Sequence, residues 1–152
     1  MSALFQPLAD NYPTQSREDL YKALGGEWPT LVDHPNYQNT CATRLSVAFH
    51  GAGYVIPDAY KEGMAGDGRV IIIKVRTMWD YVVSLFGQPT WGMSKEPGTP
   101  VNVPVKKGII VYHKAYSDAT GHFDLWKGNG FVGSGDLAQA KGGYDIGLWY
   151  WD

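Results

Sequence analysis

Beyond residue 107 the apolar residues of this chain come in short runs rich in β-branched and aromatic side chains: GIIVYH (108–113), GHFDLW (121–126) and IGLWYW (146–151). In the stretches around residues 42–49 and 78–86 they recur at three- and four-residue spacing instead. Runs of the first kind read as strands and runs of the second kind as amphipathic helices. Helices that precede a set of antiparallel strands predict an α+β architecture.

The punctuation agrees with this reading. Ser16 is placed to cap a helix over 16–24 that stops at Gly25-Gly26. Ala42, Leu45, Ala48 and Phe49 define a second helix ended by Gly51 and Gly53. RVIIIKV (69–75) is expected as a buried strand. TMWDYVVSLFG follows as a helix capped by Thr77, with Met78, Trp79, Val82, Val83 and Phe86 on its apolar face. The proline-bearing stretch 88–105 is expected as an ordered surface loop. FVGSGD (131–136) is expected as a return strand after the turn KGNG. No repeat or linker divides the chain, so residues 1–152 are expected to form a single domain.

Thirteen basic and fifteen acidic residues give a net charge of −2, with no basic stripe for nucleic acid. One cysteine rules out an internal disulfide. No CxxC or HxxxH pair is present for structural zinc. The N-terminus lacks the basic and apolar regions of a signal peptide, and no apolar run is long enough for a membrane span. The expectation is a protein made in the cytoplasm, which leaves only by a route that needs no signal peptide.

The lone thiol, Cys41, falls in NTCATRLSVAF, where a helix begins. If Asn39 or Thr40 caps that helix, Cys41 lies in its first turn, where the dipole favours thiolate over thiol. Backbone N–H groups there can also receive an oxyanion. This is a nucleophile's position, although a buried, inert cysteine has the same spacing.

Four histidines are available as a base. His50 is nine residues further along the helix, roughly 13 Å away, and out of reach. His34 lies in a proline-flanked loop, and His113 ends a strand where an exposed role is expected. His122, after Gly121 on a strand that must pack near the cysteine helix, is preferred. An orienting carboxylate can come from either of two places. A three-residue loop Gly128-Asn129-Gly130 pairs Lys127 with Phe131 and sets Asp136 opposite His122. Asp124 shares a face with His122 but lies roughly 6.6 Å along the strand. Asp136 is the first choice and Asp124 the reserve.

With these residues in place, a resemblance can be stated. NTCATRLSVAF, GAGYVIP, VRTMWDYVVSLFGQP, KKGIIVYHKAYSDATGHFDLWKG and IGLWYW resemble, in order, the type VI secretion amidase effectors of the fourth family, small toxins of the NlpC/P60-like papain superfamily. The similarity runs from about residue 37 to the end. It implies a papain-like fold in which a helix carrying the nucleophile packs on an antiparallel sheet. It also implies a DL-endopeptidase that cuts the amide between γ-D-glutamate and meso-diaminopimelate in peptidoglycan stem peptides, with no cofactor or metal. The implied setting is the periplasm of a rival bacterium, reached through a type VI apparatus, and the implied partner is a dedicated immunity protein. The family's catalytic cysteine falls on Cys41, its histidine on His122, and its aspartate best on Asp136 after a small length adjustment. Some relatives carry further cysteines after the GHxxLW strand, where this chain has Gly133 and Gly135.

Arg44, one helical turn after Cys41, suits either an anionic substrate group or a structural acid. Trp79, Trp126 and Trp149 are read as core. Two other functions fit the same residues. One is another papain-like thiol hydrolase, such as a muramoyl-amidase, deamidase or acyltransferase. The other is a non-enzymatic module with an aromatic-lined binding surface.

Overall fold

The principal sheet has four antiparallel strands in the order β3-β6-β4-β5, seen in a computed structural model that describes residues 2–95, 101–113, 121–137 and 144–151. They are β3 (Trp91–Lys95), β4 (Gly108–His113), β5 (His122–Trp126) and β6 (Tyr144–Tyr150). Every residue of β4 is buried, as expected of an interior strand rich in β-branched side chains. Tyr112 pairs with His122 and Gly108 with Trp126, so β5 lies along one edge of the sheet with His122 as its first residue.

Among the described residues four α-helices accompany the sheet: α1 (Ser2–Asp10), α2 (Arg17–Leu24), α3 (Cys41–Gly51) and α4 (Val75–Phe86). The Ser16 side chain accepts the Asp19 N–H at 3.1 Å, and Gly25 and Gly26 take positive φ to end α2, as the sequence predicts. Leu45, Ala48 and Phe49 of α3 are fully buried against Phe123 and Leu125 of β5 and Trp149 of β6. Each such large apolar side chain contributes about 1.5–3 kcal/mol. The opposite sheet face buries Ile110, Tyr112, Trp126, Ile146 and Leu148. Trp126 and Trp149 are core residues, while Trp79 is partly buried against that core. No helix among the described residues is long and apolar enough to cross a membrane.

Four expectations need correction. The strand expected over 69–75 shrinks to Val70–Ile71 (β2), paired with Gly63–Met64 (β1). Side chains, not a neighbouring strand, take the next backbone N–H groups: Ser46 Oγ accepts from Ile72, and Glu62 Oε1 from Ile73 and Lys74. Glu62 thereby caps α4 from outside the helix, which starts at Val75 rather than after Thr77; Thr77 Oγ1 donates to Glu62 Oε2. Within the expected loop 88–105, residues 91–95 form β3, an edge strand with little apolar pattern. Residues 96–100 of that stretch lie outside the described residues.

The fourth correction concerns 131–136. Phe131 makes an isolated bridge with Trp126, not Lys127, and the chain then leaves the strand direction. Lys127 N–H donates to Gly130 O, which closes a turn one residue out of the expected register. Asp136 is therefore not set opposite His122 by a hairpin.

Candidate active site

Cys41 is the first residue of α3 and only 3% exposed. Its N–H donates to Asn39 Oδ1 at 3.1 Å, so the residue two before the thiol, not Thr40, supplies the side-chain acceptor. Asn39 Nδ2 donates to Gly121 O at 3.1 Å. One amide thus ties the start of the cysteine helix to the residue that precedes His122. The spacing N-x-C contained this signal, but the partner 82 residues away could not be read from it.

His122 lies between Cys41 and Asp124. Its Nε2 is 2.7 Å from Asp124 Oδ2, and the Cys41 thiol lies close enough to favour the protonated ring. With Nε2 held by the carboxylate, Nδ1 is the ring nitrogen left to serve the thiol. The ring packs against Tyr112, at 5.3 Å between centroids, and Phe131, at 6.2 Å. Burial alone lowers the His122 pKa. The hydrogen bond to Asp124 and the nearness of Cys41 outweigh it and push the pKa up to about 9.

The carboxylate that bonds His122 is therefore that of Asp124, the reserve choice, and not that of Asp136, the first choice. The two Cα atoms of an i, i+2 pair are far apart, but an imidazole leaning along the strand spans that gap. Asp124 is fully buried, and its carboxylate is saturated by four hydrogen bonds. Oδ1 accepts from Leu125 N–H and Gly133 N–H, and Oδ2 accepts from His122 and Gly135 N–H. The 131–136 segment wraps over this carboxylate instead of pairing as a strand. A Cβ on Gly133 would lie 2.9 Å from both Asp124 carboxylate oxygens, which explains why glycine stands there. Asp136 is exposed, and its N–H donates to the Tyr112 hydroxyl at 3.2 Å.

The other histidines are placed elsewhere. His50 Nε2 bonds Val70 O at 2.7 Å, and His34 Nδ1 accepts the Asn36 N–H. His113 is buried, contrary to the exposed role expected for it; its ring meets Trp79 at 6.0 Å, and burial lowers its pKa. A cleft of about 960 Å³ opens beside the site, bounded by His34, Asn36 and Asn39 on one wall and Glu62, Ile73 and Lys74 on the other.

Fold and site together define an α+β protein built around a Cys–His–Asp cluster where a helix start meets the edge of a sheet. The family model described as type VI secretion system (T6SS) amidase effector protein 4, Tae4, matches residues 37–149. The chain belongs to that family of amidase effectors. Its fold is similar to Tae4 of Enterobacter cloacae in the effector–immunity complex Tae4–Tai4, with 22% identity over 99% of this chain and 97% of the other, at a TM-score of 0.76. It is also similar to Tae4 of Salmonella typhimurium bound to the immunity protein Tai4 of E. cloacae, with 24% identity over 97% and 98% of the two chains and a TM-score of 0.80. No curated protein matches the sequence.

Proposed function

We propose that this protein is a papain-like thiol amidase of NlpC/P60 type, a single domain over residues 1–152. On this reading it hydrolyses the γ-D-glutamyl–meso-diaminopimelate bond of peptidoglycan stem peptides. The observation that carries the reading is the grouping of Cys41, His122 and Asp124, in which a buried carboxylate bonds an imidazole close to the one thiol of the chain.

The mechanism follows from those contacts. His122 takes the Cys41 proton, and the thiolate attacks the γ-glutamyl carbonyl carbon. Negative charge on the carbonyl oxygen is received at the positive end of α3, where Asn39 Oδ1 accepts the Cys41 N–H in the free protein. His122 then protonates the leaving diaminopimelate nitrogen as the C–N bond breaks. Water, deprotonated by His122, attacks the thioester and releases the new carboxyl group and the thiol. Asp124 keeps Nε2–H in place and stabilises the imidazolium throughout.

Family membership supports the setting: delivery through a type VI apparatus, action in the periplasm of a target cell, and neutralisation by an immunity protein of the Tai4 kind. Digestion of Gram-negative peptidoglycan with wild type and Cys41→Ala, followed by mass spectrometry, tests the reading. The expected result is new D-glutamate and diaminopimelate termini with wild type only. Intact peptidoglycan, or different termini, would overturn the assigned bond.

A further inference from the structure

Arg44 has no acid to pair with among the described residues. Its Nε donates to Thr40 Oγ1 at 2.8 Å and one Nη1 to Pro13 O at 3.1 Å, both neutral acceptors. The guanidinium is half-buried, so its charge is partly withdrawn from water without a carboxylate to balance it. Among the described residues no acid stands where a structural partner for this arginine would be expected.

The same side chain lines a pocket of about 230 Å³ together with Tyr12, Gly133 and Ser134. Tyr12 is 7% exposed, and its hydroxyl is buried with no hydrogen-bond partner. A Cβ on Gly133 would come within 2.7 Å of that hydroxyl, so the phenol lies directly beneath the pocket wall. Burial, and then the neighbouring Asp124, raise the Tyr12 pKa and keep it a neutral donor. An uncompensated cation beside an unsatisfied donor is a site built for an anion.

Position relates the pocket to the chemistry. Cys41 and Arg44 stand three residues apart on α3, on one face and about 4.5 Å apart along its axis. In a γ-linked glutamyl residue, three carbon atoms separate the attacked carbonyl carbon from the free α-carboxylate. That reach matches the helical spacing, and an α-linked residue other than glutamate has no carboxylate there. We propose that the Arg44–Tyr12 pocket is the subsite for this free α-carboxylate, on the acyl side of the bond cut. The inference rests on the proposed amidase reading and adds what the site recognises.

The test uses the tripeptide L-alanyl-γ-D-glutamyl-meso-diaminopimelate and the same peptide with the α-carboxylate converted to a carboxamide. Wild type is expected to favour the carboxylate by about tenfold or more in kcat/KM. Arg44→Gln should level the two substrates. Tyr12→Phe, which removes a hydroxyl that bonds nothing in the free protein, should reduce the preference several-fold and keeps the test valid if Arg44→Gln does not fold. Equal cutting of both peptides by wild type overturns the subsite alone. An Arg44→Gln enzyme that is slower on both but keeps the preference also overturns it, because that is the signature of a structural arginine. If wild type cuts neither peptide, the amidase reading falls and the subsite with it.

Discussion

Asp124 reaches His122 along its own strand: the carboxylate oxygen is 2.7 Å from the imidazole Nε2 two residues earlier. The pair therefore needs no register with a second strand, and its geometry is set by one element. What the rest of the fold supplies is the Gly133 and Gly135 N–H groups that fill the other lone pairs of the carboxylate.

If that relationship orients the base, Asp124→Asn should lower kcat by roughly 10²- to 10⁴-fold while the protein stays folded. Asp136→Asn, at an exposed position, should stay within about threefold of wild type. Steady-state kinetics on the tripeptide decide between them, and a larger loss with Asp136→Asn would return the role to that residue.

The raised His122 pKa makes stability depend on pH. A histidine whose folded pKa exceeds its unfolded value of 6.5 stabilises the fold fully below pH 6.5 and loses that contribution as pH rises through about 9. The contribution is on the order of 3 kcal/mol. Urea denaturation at pH 6 and pH 9.5 should show a decline in wild type that is much smaller in His122→Gln. NMR titration of Cys41→Ala should find the His122 pKa lower than in wild type, since a neighbour that raises it is gone.

Asn39 joins two distant parts of the site through one side chain. Asn39→Ala should cost about 1–2 kcal/mol in thermal or chemical denaturation. Activity should fall further than that loss of folded protein explains, because Cys41 and His122 are no longer held to a common point. A variant with wild-type kcat would show that the bridge serves folding only.

Gly133→Ala places a methyl group 2.9 Å from the Asp124 carboxylate and 2.7 Å from the Tyr12 hydroxyl. A destabilisation of about 1–3 kcal/mol is expected, with reduced kcat as the segment lifts off Asp124. In a Tyr12→Phe background part of the lost stability should return, because one of the two clashes is gone. A double-mutant cycle measures that recovery.

Much of the site is legible in the linear chain. Helical spacing after a capping residue is enough to put Cys41 at the start of α3, since local hydrogen bonds and one buried face define that element. The β-branched and aromatic runs likewise locate β4, β5 and β6, and glycine before His122 marks where β5 begins. The segment 69–75 misleads for a definite reason: its composition suits a strand, yet Ser46 and Glu62, remote in sequence, satisfy its N–H groups and let α4 start early.

The sequence by itself thus determined the α+β order of elements, the placing of Cys41 at a helix start and of His122 at a strand start, and the family resemblance. The first two depend on patterns within a dozen residues, where periodicity and capping act, and the resemblance on motifs spaced along the chain from about residue 37. Only the tertiary structure decided which aspartate bonds His122. That choice depends on a one-residue difference in the 127–131 turn and on a segment that folds over Asp124 rather than pairing with β5. Spacing alone favoured Asp136; the backbone N–H groups brought to Asp124 by the chain's return mark the other acid.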